Sequence, residues 1–227
     1  MTDALVRVKS LSKQYMMPDG EIVPVLSDVT LFIEPGQHIV LIGPSGSGKS
    51  TLLHIMAGLV SPSKGSVDWP ALGPSDGLMP TRLQVVFQMA SLFPPLNVLE
   101  NVALPMVLAG HQAQAEVRAL AMLQRLGLVD LAPKLPEELS GGQAQRVAVA
   151  RALAITPALI LADEPTGQLD STTAGAFLDE VIAVAGESDT ALVIATHDAT
   201  IAARMQTVWT VSRGNLQFQP EMMGGLT

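Results

Sequence analysis

The sequence predicts an α/β protein: a largely parallel sheet with helices packed on it, an antiparallel β part beside it, and a helical segment inserted into the middle of the chain. Three observations carry that reading. The runs HIVLI (38–42), LILAD (159–163) and LVIAT (192–196) are almost continuously apolar, as strands covered on both faces should be. The first run, Leu5–Lys9, alternates instead, with Val6 and Val8 set against Arg7 and Lys9, which fits a sheet with one wet face. Between Ser91 and Arg151 no run reads as a strand, while helical spacing recurs at Ala113–Leu126 and Gly141–Ala154.

Taken in order, strand-like runs occupy Leu5–Lys9, Val29–Ile33 and His38–Ile42, and a glycine-rich loop then leads into the helical run TLLHIMAGL. Further short runs follow at Ser66–Trp69 and Val85–Phe87. After the helical stretch, β pattern resumes at Leu159–Asp163, Leu192–Thr196 and Val208–Ser212. The expected organisation is therefore one domain over 1–227, with an α/β core from 1–88 and 155–219 and a helical insertion over 89–154. Residues 220–227 lack periodicity and read as a loose tail. There is no internal repeat and no low-complexity tract.

Composition narrows the function classes. The 227 residues carry 13 basic and 21 acidic side chains, so the net charge is 13 − 21 = −8, a poor match for nucleic acid. Charged residues reach only 15% and apolar residues 48%, which raises the question of a membrane. No stretch supplies the ~18 continuous apolar residues of a spanning helix; the most apolar window, Ala152–Ala162, is broken by Thr156 and Pro157. The start, MTDALVRVKS, shows no secretory signal pattern. The absence of cysteine excludes disulfides and thiolate metal sites.

Chemistry first becomes visible after HIVLI, in Gly43, Pro44, Ser45, Gly46, Ser47, Gly48, Lys49, Ser50 and Thr51. This is the phosphate-loop pattern in its required strand–loop–helix setting. Glycines let successive backbone N–H groups curl around a phosphate, and the helix that follows adds its positive end. Lys49 would bring a cation to the β/γ-phosphates and Ser50 a hydroxyl to Mg²⁺. The loop by itself does not distinguish ATP from GTP.

A second signal is the apolar strand LILAD followed by Glu164. Asp163 at the strand end suits Mg²⁺, and Glu164 is displaced toward the γ-phosphate, where it could polarise an attacking water. The plainer alternative is a helix start, where acids favour the positive dipole end. The presence of the phosphate loop favours the functional reading.

Ser140, Gly141, Gly142 and Gln143 precede the run AQRVAVARALA. Ser140 reads as an N-cap, and a hydroxyl with bare backbone N–H groups at a helix start makes a second anion site. With Leu139 this is LSGGQ, and together with the phosphate loop it resembles the ATP-binding cassette (ABC) ATPases over nearly the whole chain. The resemblance implies a RecA-like phosphate-loop core with an inserted helical signature subdomain, ATP and Mg²⁺ as cofactors, and ATP hydrolysis. It also implies roles by position. Tyr15, in LSKQY, would stack on adenine. Gln88, in VVFQ, would reach Mg²⁺ and the attacking water. Asp170, in GQLD, would lie in the loop that crosses to a partner subunit, and His197, in IATHD, would contact the γ-phosphate. In this family a full site is composite, one subunit's phosphate loop facing the other's LSGGQ, so a homodimer or a pair with a second ABC subunit is expected.

The text PVLSDVTLFI, LNVLENVALPM and EPTGQLD is similar to the lipoprotein-releasing, macrolide-export and cell-division branch. It departs from that branch at Gln168, where Asn is usual, at Gln37-His38, where a Glu commonly follows Gly36, and in a short segment between Gly65 and Gln88. The resemblance further implies a membrane-spanning permease subunit as partner, docking near SLFPPLNVLENVALPM (91–106), and a cytoplasmic, peripheral place on the inner face of the membrane. Two other outcomes stand beside transport. One is an ATP-gated signalling or assembly module on a membrane partner. The other is a soluble ABC protein acting on DNA or ribosomes, which the charge of −8, the single cassette and the lack of a coiled-coil insertion disfavour.

Overall fold

A computed structural model of the chain describes residues 3–218; the expected tail, 220–227, lies outside them. Strands β1 (Val6–Met16), β2 (Ile22–Ile33) and β4 (Lys64–Asp68) form an antiparallel sheet in the order β2-β1-β4. The larger sheet contains β3 (His38–Ile42), β5 (Leu83–Val86), β6 (Leu159–Asp163), β7 (Ala191–Thr196), β8 (Thr207–Ser212) and β9 (Asn215–Phe218). Its order is β5-β6-β7-β3-β8-β9, with every pairing parallel except that of β8 with β9.

The continuous apolar strands behave as their composition demands. Side chains alternate across a strand. Ile39 and Leu41 of β3, Leu159 and Leu161 of β6, and Val193 and Ala195 of β7 join the core shared with the antiparallel sheet and helix α1 (Lys49–Met56). Val40, Ile160, Ala162, Leu192 and Ile194 project to the opposite face and join the helical core. One sheet thus separates two apolar layers. In β1 the alternation predicted from the sequence is present, with Val6 and Val8 fully buried and Arg7 and Lys9 exposed.

The helical layer comprises α2 (Val98–Leu108), α3 (Gln112–Arg125) and α4 (Gly141–Ala154), followed beyond β6 by α5 (Ser171–Glu187) and, after β7, by the short α6 (Ala199–Ala202). Helices α2, α5 and the four-residue α6 were not among the helical runs expected from the sequence, although the apolar residues Ala174, Phe177, Leu178, Val181 and Ala185 of α5 do recur at helical spacing. Helix α2 is apolar nearly all round and contains Pro105, so neither its pattern nor its composition announced a helix. What starts it is a capping box: the Asn97 side chain accepts from Glu100 N (2.9 Å) and the Glu100 carboxylate accepts from Asn97 N (2.8 Å). Helix α5 begins at Asp170, whose carboxylate accepts from Thr173 N at 3.0 Å.

Candidate functional site

Four loops that matter leave the same edge of the large sheet. Strands β3, β5, β6 and β7 are mutually parallel, so their carboxyl ends lie together. The phosphate loop follows β3, Gln88 follows β5, Asp163 ends β6 and His197 follows β7. Ligands in open α/β sheets bind at that edge for this topological reason. A cavity of about 580 Å³ opens there, lined by Ser45–Thr51, Gln88, Asp163, Glu164, His197 and, in addition, Val25 of β2.

The loop conformation depends on its glycines at two places. Gly43 has φ of +155°, and a Cβ there would lie 2.2 Å from the Val211 carbonyl oxygen; at Gly48, with φ of +108°, it would lie 2.8 Å from that of Val25. Any side chain would push the loop off β2 and β8. Gly48 also caps α1, so the helix start faces the cavity. Lys49 is 8% exposed, and its Nζ donates to the Gly43 oxygen at 2.7 Å and the Pro44 oxygen at 3.1 Å. Those bonds hold its ammonium against the loop.

The acid pair is asymmetric. Asp163 is buried at the end of β6. Glu164 is a non-glycine residue at φ +49°, a conformation that costs about 1–2 kcal/mol. Its own N–H donates to the Ala195 oxygen at 2.8 Å. Its carboxylate accepts from Thr196 Oγ1 (3.0 Å), from His197 N (3.1 Å) and from the His197 ring Nδ1 (2.7 Å). Both oxygens are therefore held by β7 and the residue beyond it, while the side chain stays 12% exposed at the cavity wall.

A second cavity of about 450 Å³ gathers Ser140, Gly141, Gly142, Gln143 and Asp170 with Arg146, Gln168, Leu169 and Thr173. Ser140 caps α4 in a full capping box: its Oγ accepts from Gln143 N at 3.2 Å, and Ser140 N donates to Gln143 Oε1 at 2.9 Å. The two glycines are required by the loop that packs on them. A Cβ on Gly142 would meet Leu169 Cδ2 at 2.7 Å and the Gln168 oxygen at 2.9 Å, and one on Gly141 would run into the Gln168 amide. Asp170 caps α5, and hydrogen bonds from Thr173 hold its carboxyl below the ordinary carboxylate value.

The structure thus brings the phosphate loop, Gln88, Asp163, Glu164 and His197 into one cavity and the signature with Asp170 into another. Gly43 and Pro44 lie at the base of the loop, outside the lining. Tyr15 also lies outside it, 40% exposed on β1 with Lys13 Nζ 4.8 Å from its ring centroid. Val25 was not singled out from the sequence. Its signal was its place before LSDVTLFI, on a strand that the sequence started only at Val29.

The expected docking segment divides on inspection. Val98, Val102 and Met106 are fully buried in the helical core, whereas Phe93 is 52% exposed and Met89, just before the segment, 78%. No helix among the described residues is long and apolar enough to cross a membrane.

The chain matches the family model described as ABC transporter over residues 26–167. It is 43% identical over 225 residues to a protein of Legionella pneumophila (strain Paris) named lipoprotein-releasing system ATP-binding protein LolD, covering 95% of this chain and 98% of that one. It is 41% identical over 229 residues to the protein of the same name from Shewanella sp. (strain MR-4), covering 96% and 97%. Among solved structures it resembles the ATP-binding cassette MJ0796, in a dimeric post-hydrolysis state bound to ADP and Pi, with a TM-score of 0.86 and 35% identity across 97% of this chain and 100% of that chain. With a phosphate loop, an acid pair and a capped LSGGQ helix in this fold, the chain belongs to the ABC transporter family and is one of its ATP-binding, ATP-hydrolysing subunits.

Proposed function

We propose that this chain is the ATP-driven motor of a lipoprotein-releasing transporter, acting on a separate membrane-spanning permease from a peripheral position on the inner face of the membrane. The observation that carries the motor reading is the delivery of Lys49, Gln88, Asp163, Glu164 and His197 to one cavity by four parallel strand ends. The names of its relatives supply the branch. Residues 1–88 and 155–219 serve as the core that holds the nucleotide, and 89–154 as the insertion that presents the signature.

Within the site, the backbone N–H groups of residues 45–51 and the Lys49 ammonium bind the β/γ-phosphates. Glu164 accepts a proton from the attacking water as its oxygen bonds to the γ-phosphorus and the bond to ADP breaks. Its two oxygens are oriented for this by Thr196 and His197. His197, 72% exposed, keeps its Nδ1 on Glu164 and offers its other ring edge to the γ-phosphate. Tyr15 stacks on adenine from the β1 side. Ser50, Gln88 and Asp163 offer hydroxyl, amide and carboxylate oxygens in the same cavity, a donor set that fits Mg²⁺ held partly by substrate phosphates. When bound there, the ion neutralises phosphate charge.

Ser140–Gln143 and Asp170 belong to the second cavity and so complete a site in trans, on the nucleotide of a partner cassette. The likeness to a cassette described as dimeric supports this. Mixing chains carrying Lys49→Ala with chains carrying Ser140→Arg tests it. Each variant alone should be inactive, and a verified mixed dimer, with one intact composite site, should recover part of the turnover. Failure to recover, together with no ATP-dependent association, would overturn the trans arrangement.

A further inference from the structure

Gln88 belongs by sequence to the sheet, two residues past the end of β5. Its neighbours, however, are held by the helical layer. Gln145 of α4 is 0% exposed, and its Nε2 donates to the Phe87 carbonyl oxygen at 3.0 Å. Arg151, on the same helix, donates from one guanidinium nitrogen to the Ser91 carbonyl at 2.8 Å and from another to the Ser91 hydroxyl at 3.1 Å. The two side chains stand six residues apart on α4, about 9 Å along the axis. That span suits the four-residue step from Phe87 to Ser91 without full extension.

Gln145 is costly where it sits. Buried residues Val147, Ala148, Val149 and Ala150 follow it, and its Oε1 is buried without a hydrogen-bond partner among the described residues. An orphaned buried amide oxygen forfeits its hydrogen bond to water, a loss that a leucine of similar volume would avoid. The bond to Phe87 is what the amide gives in return. Burial also pushes the Arg151 guanidinium below its ordinary value, so that side chain too is kept at a cost. The segment beyond is fixed by another side chain, the buried Asn101 of α2, which accepts from Phe93 N at 2.8 Å and donates to the oxygens of Phe93, Leu96 and Asn97.

Helix α4 therefore carries the signature cap Ser140 at its start and, along its length, the two side chains that grip the backbone on both sides of Gln88. We propose that Gln145 and Arg151 are positioning residues, which clamp the Phe87–Ser91 segment to α4 so that the orientation of the signature helix and the placement of Gln88 in the phosphate-loop cavity are set together. This rests on the reading of Gln88 as a residue that reaches the attacking water. Neither side chain lines the phosphate-loop cavity, so both act through Gln88 rather than on nucleotide.

The experiment is a double-mutant cycle on steady-state ATP hydrolysis by the full chain: wild type, Gln88→Ala, Gln145→Leu and the double variant. Gln145→Leu should lower kcat by about tenfold while KM for ATP changes by less than about threefold, because the phosphate loop is untouched. On the Gln88→Ala background the same substitution should cost nothing further, since its whole effect passes through Gln88. A structural role alone would instead multiply the two losses, and that result overturns the clamp, as does wild-type turnover in Gln145→Leu. If Gln88→Ala itself keeps wild-type turnover, the reading of Gln88 fails first and the clamp with it. Should Gln145→Leu not fold, Arg151→Lys carries the same cycle; it keeps the charge and loses the forked pair of bonds, so a drop in kcat that vanishes on Gln88→Ala is again expected.

Discussion

The Glu164 carboxylate and the His197 ring meet at 2.7 Å, Oε1 to Nδ1, and the same oxygen accepts from His197 N at 3.1 Å. One histidine thus grips the carboxylate by backbone and side chain at once, while Thr196 holds the other oxygen. Together with the backbone bond to Ala195, these contacts maintain Glu164 at a φ that an unconstrained glutamate would leave. A strained residue held by Ala195, Thr196 and His197 at the wall of the phosphate-loop cavity is what the proposed proton-accepting role requires.

Glu164→Gln should therefore keep ATP binding and lose turnover by about 10²-fold or more, since an amide keeps the shape and one accepting oxygen of the carboxylate but takes up no proton. ATP should then hold a dimer visible in light scattering. Wild-type turnover in this variant would remove Glu164 from the base role.

Lys49→Ala removes the one ammonium held at the loop and should weaken Mg-ATP binding by at least about tenfold in calorimetry, with circular dichroism unchanged. Unaltered affinity would overturn the assignment of the phosphates to this loop.

Charge on the exposed apolar side chains after β5 separates docking from packing. Met89→Asp and Phe93→Asp should spare basal hydrolysis and reduce the response to the membrane partner by about tenfold, because both are open to solvent. Val98→Asp should lower the melting temperature instead, since Val98 is fully buried. Full partner stimulation in both exposed variants would move the docking surface elsewhere.

His38 gives a pH dependence with a definite sign. Burial lowers its pKa from the ordinary 6.5, with a hydrogen bond to the Thr190 backbone partly opposing, and its Nε2 has no partner among the described residues. The unfolded chain therefore takes up the proton first. Stability present above pH 6.5 is lost as pH falls from there through the lower folded value, by at most about 1.4 kcal/mol per pH unit. Denaturant titrations from pH 7.5 to 5.5 should show this loss in the wild type and a flatter profile in His38→Gln; parallel profiles would exclude His38.

The sequence exposed what is local. Helix α4 was bounded at Gly141–Ala154, as observed, because its cap and its partners lie within three residues of each other. Strands β3 and β6 were legible in full because their burial on both faces leaves an unbroken apolar run. Helix α5 was legible in principle, since its cap Asp170 and the apolar residues Ala174, Phe177, Leu178 and Val181 follow helical spacing, although it was not among the helices expected. Strand β9 was missed because its four residues pair only with β8 and are mostly exposed.

By itself the sequence determined the chemistry: a phosphate loop, two adjacent acids and a capped glycine pair, each specified by neighbours a few residues apart whose backbone conformations and hydrogen bonds are set locally. The tertiary structure decided which of these pieces meet. Gln88 lies 39 positions after Lys49 in the chain and His197 33 after Glu164, and it is the parallel sheet ordered β5-β6-β7-β3 that brings them to one edge. It also decided which apolar side chains of 91–106 are core, and that the backbone around Gln88 hangs from α4. Those outcomes depend on contacts between segments far apart in the chain, and local pattern contains no information about which partner a buried polar group will find.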